Sequence, residues 1–172
     1  MSSAEPVLRP VEIRDAPAIV ALVERCFEEY REFAPAGWEP PPQTGAAERV
    51  EASIARPEGD GAVAVAGGEH VGHALWIPAL HSQRYESDDP DVAYLWQLFL
   101  APAGRGTGLA ARLLNWAVDS TRDTGFREMR LLTPRGQERA RAFYEREGWS
   151  AFGDWGIDPD LNLPIVEYGL RL

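Results

Sequence analysis

Apolar positions along the chain follow two periods, and the switches between them mark the elements. Ile19, Leu22, Val23, Cys26, Phe27 and Tyr30 recur at three- and four-residue steps, which predicts one face of an amphipathic helix. Asp15 stands where a cap belongs and Pro17 in the first turn, as helix starts favour. Val7 to Arg14 reads as a strand before it. From Ala34 to Thr44 no period survives, because Pro40, Pro41 and Pro42 forbid regular helix. A second helix is expected from Gly45 to Ala55, with Thr44 as its cap. Gly61 to Ala66 and Val71 to Ile77 read as strands joined at Gly67-Gly68, and His81 to Asp91 is a polar, acidic loop. Ala93 to Leu100 is apolar at nearly every position, as a strand covered on both faces would be. There follow a helix from Gly108 to about Thr124 closed by Gly125, a strand over Glu128 to Thr133, a helix from Gly136 to Glu147 closed by Gly148, and strands over Trp149 to Asp154 and Ile165 to Leu172.

This interleaving of strands and helices is an α/β pattern without repeat or linker, and 172 residues are read as one domain, 1–172. Such a length buries about 70% of the unfolded surface, so no staple is needed. The net charge of −10 disfavours nucleic acid as a partner and suits a cationic amine. All 17 basic residues are Arg; with no Lys, Schiff-base chemistry and a phosphate-binding lysine are excluded. The single Cys26 can form no internal disulfide and lies on the apolar helical stripe, where a thiol packs as a small hydrophobe. The first residues show no basic and apolar leader, and no run of about 18 apolar residues occurs. The expectation is a cytoplasmic protein with no membrane partner.

The candidate chemistry centres on Leu100-Ala-Pro-Ala-Gly-Arg-Gly-Thr-Gly-Leu-Ala110. A strand running into a glycine-rich turn and then a helix lets main-chain N–H groups converge at a helix N-terminus, where a diphosphate binds. Arg105 adds a full charge. Arg105-Gly106-Thr107-Gly108-Leu109-Ala110 resembles the Arg/Gln-x-x-Gly-x-Gly/Ala signature of the GCN5-related N-acetyltransferases. A second landmark agrees: Ala140, Tyr144, Gly148 and Trp149 match the family's Asn-x-x-Ala, apolar-Tyr, Gly-Phe spacing, with Gln137 in place of Asn.

That resemblance implies a mixed, mostly antiparallel sheet of six to seven strands flanked by about four helices. It implies acetyl-CoA as co-substrate, with no metal, and direct transfer of the acetyl group to a primary amine in a ternary complex. Arg105, Gly106, Thr107, Gly108, Leu109 and Ala110 would hold the pyrophosphate. The strand ending at Leu100 would splay from the one beginning at Glu128, leaving main-chain amides of Leu98 and Leu100 for the pantetheine and thioester. Gln137 would approach the cofactor, and Tyr144 would protonate the leaving thiolate. A small-molecule or peptide amine is the expected acceptor, and a homodimer is expected by analogy.

The amine must also lose a proton, and the strand Tyr94 to Leu100 carries no acid. Asp91, Asp89, Glu86, His73 and a water chain remain as alternatives. Trp76, Trp96, Trp149 and Trp155 are candidates for an acceptor wall, and Trp38 for a lid contact. Competing readings are weaker. Gly106 to Ala111 also satisfies a dinucleotide-binding pattern, with Glu128 as the distal acid. Too few strand–helix units follow, however, and Glu128 precedes its strand. His70, His73 and His81 lack metal-site spacing and are read as surface residues; no Gly-x-Ser-x-Gly occurs. A non-catalytic acyl-CoA-binding module of the same fold stays open.

Overall fold

Seven strands make one sheet: β1 (Val7–Pro10), β2 (Asp60–Ala66), β3 (Glu69–Pro78), β4 (Val92–Leu100), β5 (Glu128–Pro134), β6 (Ser150–Ile157) and β7 (Pro164–Arg171). The computed structural model describes residues 5–172; residues 1–4, part of the segment read for a leader, lie outside the described residues. The spatial order is β1-β2-β3-β4-β5-β7-β6. All neighbours are antiparallel except β4 and β5. That pair is joined through α3 (Leu109–Asp123), the kind of crossover parallel strands require. This is the mixed, mostly antiparallel sheet the resemblance implies.

Helix periodicity decides which face each helix covers. Leu109, Leu113, Leu114, Ala117 and Val118 of α3 are buried on Ala62, Ala64, Ala74 and Trp76 of β2 and β3. The alanines let α3 approach closely, and each buried leucine contributes about 1.5–3 kcal/mol. Tyr144 of α4 (Glu138–Arg146) belongs to the same cluster. On the opposite face α1 (Ala16–Glu29) sets Ile19 against Val63 and Leu75, with Val50 of α2 (Ala46–Ile54). Farther along α1, Val23 and Phe27 meet Leu163 and Ile165.

Four local expectations change. The first strand stops at Pro10, and Ile13–Asp15 forms a 3-10 turn instead. Asp15 precedes α1 but does not cap it: its carboxylate takes both Arg9 guanidinium nitrogens, at 2.7 and 2.8 Å, and the Glu12 amide at 2.8 Å. The residue before α2 is Gly45, in the left-handed region, and no Thr44 side chain caps the helix. His73, expected at the surface, is fully buried. The cause is a β-bulge: the β2–β3 register jumps from Ala64↔Gly72 to Val65↔His70. Residues three apart normally face opposite ways in a strand. The bulge brings His70 and His73 to one side, stacked at 5.2 Å and hydrogen-bonded at 3.0 Å.

The far edge of the sheet is β6. It is exposed along its whole length, and its pairing with β7 is interrupted by two bulges, at Ala151/Gly153 and Asp154/Gly156.

Burial, and after it the neighbouring His70, hold the His73 imidazole down at about 3, against an ordinary value of 6.5. Between those values the unfolded chain takes up a proton that the fold refuses, so acidification favours unfolding. This single group costs about 1.4 kcal/mol per pH unit below 6.5. Urea denaturation at about pH 6 and pH 5 is expected to show the loss, and His73→Gln to flatten that slope whatever its own stability.

Candidate active site

The site begins where β4 and β5 part. Their ladder holds only Val92↔Glu128, Ala93↔Met129 and Tyr94↔Arg130; beyond it β5 continues on β7 alone, to Pro134↔Ile165. The expected splay is therefore present. On the other side β4 stays paired with β3 to Gly72↔Leu100, and the Ala101 amide donates to the Val71 carbonyl at 2.9 Å. Antiparallel pairing alternates. Ala101, Phe99 and Gln97 thus bond to β3, while Leu98 and Leu100 turn their amides into the gap that β5 has left. A main-chain donor in a half-buried gap normally has a partner.

The turn after β4 also carries unpartnered main-chain amides. Gly104 is buried, and a Cβ there would stand 2.9 Å from Leu109 Cδ2 and 3.5 Å from Leu100 Cδ2, so the turn sits tightly on the helix start. Gly106 and Gly108 adopt φ of +73° and +80°, and a Cβ on either would enter open space. The amides of Gly106, Thr107, Gly108, Ala110 and Ala111 make no hydrogen bond to main chain among the described residues. Gly108 precedes the first turn of α3, so the helix dipole adds to these donors. Leu109 is 1% exposed in the core, and its amide donates to the Thr107 hydroxyl at 3.4 Å. The Thr107 hydroxyl is spent on the Gly104 carbonyl at 2.7 Å.

Arg105 is not free. Its Nη2 lies 2.6 Å from Glu29 Oε2 at the end of α1 and 3.3 Å from the Leu100 carbonyl. The same carbonyl accepts the Cys26 thiol at 3.6 Å. Burial pushes that thiol up to about 11, so Cys26 is the inert core residue expected.

Three phenols are buried, one of them, Tyr94, in the last pair of the β4–β5 ladder. Tyr30, Tyr94 and Tyr144 are 6%, 3% and 7% exposed. Burial pushes each phenol well above its usual range, and for Tyr30 and Tyr144 a neighbouring phenol adds to the effect. The hydroxyls of Tyr94 and Tyr144 make no hydrogen bond among the described residues, yet neither is sealed from open space. Buried phenols ordinarily find a partner. Tyr30 faces the Gln137 amide, whose oxygen accepts from Thr133 Oγ1 at 3.3 Å.

Other expectations change here. Trp76 and Trp149 are 1% and 3% exposed and belong to the core under α3, so they line no acceptor space. Trp96 packs on the opposite face, displaced by a bulge at Leu75/Trp76. Trp155 stacks on Tyr85 at 4.9 Å. Trp38 is a buried latch rather than an exposed lid contact, its indole donating to the Leu161 carbonyl at 2.6 Å. Asp89, Asp91 and Glu86 are exposed before β4; Asp91 lies seven residues, roughly 23 Å, from Leu98 along an extended strand. Both His73 ring nitrogens are engaged, by His70 at 3.0 Å and by Gln97 at 2.9 Å. His73 thus has no free ring nitrogen, and Asp91 lies far along the strand from Leu98. Tyr30 and Tyr94 were hidden among apolar positions, and Arg84 and Asp158, 74 residues apart, pair at 2.6 Å with no local signal. No group of three or more potential metal ligands occurs among the described residues.

Comparison with known proteins places this geometry. A model of the acetyltransferase (GNAT) family matches residues 23–149. The uncharacterized N-acetyltransferase YjgM of Escherichia coli (strain K12) is 26% identical over 152 residues, covering 84% of this chain and 81% of that protein. The uncharacterized N-acetyltransferase YhfO of Bacillus subtilis (strain 168) is 28% identical over 142 residues, covering 83% and 88%. Among solved structures, a GNAT-family acetyltransferase from Staphylococcus aureus Mu50 superposes with a TM-score of 0.75 at 15% identity, over 98% of this chain and 99% of that one. A GCN5-related N-acetyltransferase from Kribbella flavida gives 0.71 at 19% identity, over 97% and 98%; at such identities the likeness is one of fold. With the matched model spanning both the glycine turn and the helix of Tyr144, the chain belongs to the acetyltransferase (GNAT) family and is an N-acetyltransferase.

Proposed function

We propose that the protein acetylates a primary amine directly from acetyl-CoA, with both bound at once in the gap between β4 and β5. The observation that carries this reading is the row of unsatisfied amides running from Leu98 and Leu100 on β4 to Gly106, Gly108 and Ala110 on the turn. The turn fits a diphosphate: its donors converge, and the space above it is the space a Cβ would fill. Arg105 supplies the counter-charge, its Nη2 resting on Glu29. When bound, the thioester supplies an activated acetyl group.

The chain's own groups do the rest. The Leu98 amide, fixed by the β3 ladder, can polarise a carbonyl oxygen without reorganising. The walls of the gap hold amine and acyl carbon together, which supplies much of the acceleration. Tyr144 holds a proton toward the leaving sulfur. Its raised phenol is a weak acid, but a thiolate in the same dry gap is raised too, since burial disfavours both anions. The amine's own proton passes to water.

Two variants and a pH profile test this. Gly108→Val forces a β-branched residue to a φ of +80° and fills the phosphate space; calorimetry should show coenzyme A binding lost while circular dichroism shows the fold kept. Tyr144→Phe should slow thiol release by about 100-fold, within the range for general acid catalysis, with coenzyme A affinity little changed. Because burial raises the phenol, Tyr144 stays protonated through pH 10, so wild-type turnover should show no basic limb from this group below that value. Unchanged chemistry-limited turnover in Tyr144→Phe removes the acid role.

A further inference from the structure

An acid of the chain itself stands at the glycine turn. Glu29 is the last residue of α1, and its Oε2 lies 2.6 Å from Arg105 Nη2. The two side chains are 37% and 26% exposed, so solvent and salt screen the pair only in part. Arg105 Nη2 also lies 3.3 Å from the Leu100 carbonyl, which ties the guanidinium to the end of β4. Glu29 has no other side-chain partner among the described residues.

Nothing local asks for an acid at this place. The C-terminal end of a helix carries partial negative charge and favours a cation, yet the last turn of α1 holds no basic residue. Glu28 beside it is answered by Arg31 at 2.7 Å; Glu29 is answered across the fold, by Arg105. A residue that breaks a local rule and is compensated at a binding turn points to function. Nor can the end of α1 swing away. Tyr30, the next residue, is 6% exposed, its ring 5.2 Å from that of Phe27 and 5.0 Å from that of Phe33. Phe33 in turn packs so closely on Gly136 that a Cβ there would stand 2.7 Å from its ring. The main chain at Glu29 is thus fixed, and its side chain alone can turn.

We propose, resting on the transferase reading above, that Glu29 competes with the coenzyme diphosphate for Arg105 and so holds coenzyme affinity down. A diphosphate seated on the amides of Gly106, Gly108 and Ala110 meets an arginine whose Nη2 is already taken. Either the guanidinium leaves Glu29, with the Leu100 carbonyl as its pivot, or the anion shares it with a carboxylate and meets that carboxylate's repulsion. Both lower affinity, for acetyl-CoA on entry and for free coenzyme A, which must depart in each turnover. Glu29 acts through Arg105 and is a positioning residue.

Glu29→Gln keeps the shape and removes the charge. Calorimetry should show coenzyme A binding about 5-fold tighter in E29Q than in the wild type, the order expected for one partly screened charge, with E29D between them. The gain should shrink toward one as ionic strength rises from about 0.01 M to about 1 M, a dependence that a purely structural role would not produce. In an R105Q background the same Glu29→Gln change should gain less, because the contested group is gone. In turnover, E29Q should lower the KM for acetyl-CoA and the inhibition constant of coenzyme A together. An E29Q affinity equal to or below that of the wild type makes Glu29 a support for Arg105 and overturns the proposal. So does a gain indifferent to salt, or one undiminished in R105Q. If neither the wild type nor E29Q binds coenzyme A, the transferase reading fails and the role of Glu29 fails with it; a wild type that binds while E29Q gains nothing overturns the role of Glu29 alone.

Discussion

A sheet interrupted at its centre governs this protein. Strand pairing normally satisfies every amide of an inner strand, yet β4 loses its β5 partner after Tyr94. Leaving donors unpaired in a half-buried gap is costly. The neighbouring elements hold the gap open: β3 grips one side of β4 to Leu100, β7 grips β5 to Pro134, and α3 bridges the two strands below. The result is a rigid cleft lined with main-chain donors, which needs no flexible charged side chain to bind an extended, polar ligand.

Burial sets the charge of the groups around that cleft. The same loss of solvent keeps phenols protonated at Tyr30, Tyr94 and Tyr144, keeps the Cys26 thiol neutral, and keeps the His73 imidazole uncharged. An imidazole and a thiol are thus left uncharged, and three phenols keep their protons. Around the cleft, Arg105 rests against Glu29 and Arg84 against Asp158.

The elements that position the cleft were legible because they depend on local rules. Glycines at 106 and 108 announce a turn with positive φ, Leu109 to Val118 announce an amphipathic helix, and Ala93 to Leu100 announce a strand covered on both sides. What stayed hidden depends on the third dimension. A bulge reverses the facing of His73 without any residue pattern to mark it. Asp15 has the identity of a cap, but Arg9 claims its carboxylate. Trp76 and Trp149 have the same composition as a pocket wall and are consumed by the core. The Arg84–Asp158 pair joins two loops that only the sheet order brings together.

The exposed margin of the sheet has its own physical consequence. An outermost strand such as β6 offers a free row of N–H and C=O groups to any other extended chain. Here two bulges break the spacing of that row, and Gly153 and Gly156, at φ of +103° and +116°, bend the backbone out of register. The Arg130 guanidinium lies 3.7 Å over the Phe152 ring, covering one apolar side chain with charge. A foreign strand can match only a few residues before the spacing fails, so this margin resists cross-β stacking despite Phe152, Trp155 and Ile157 at its surface.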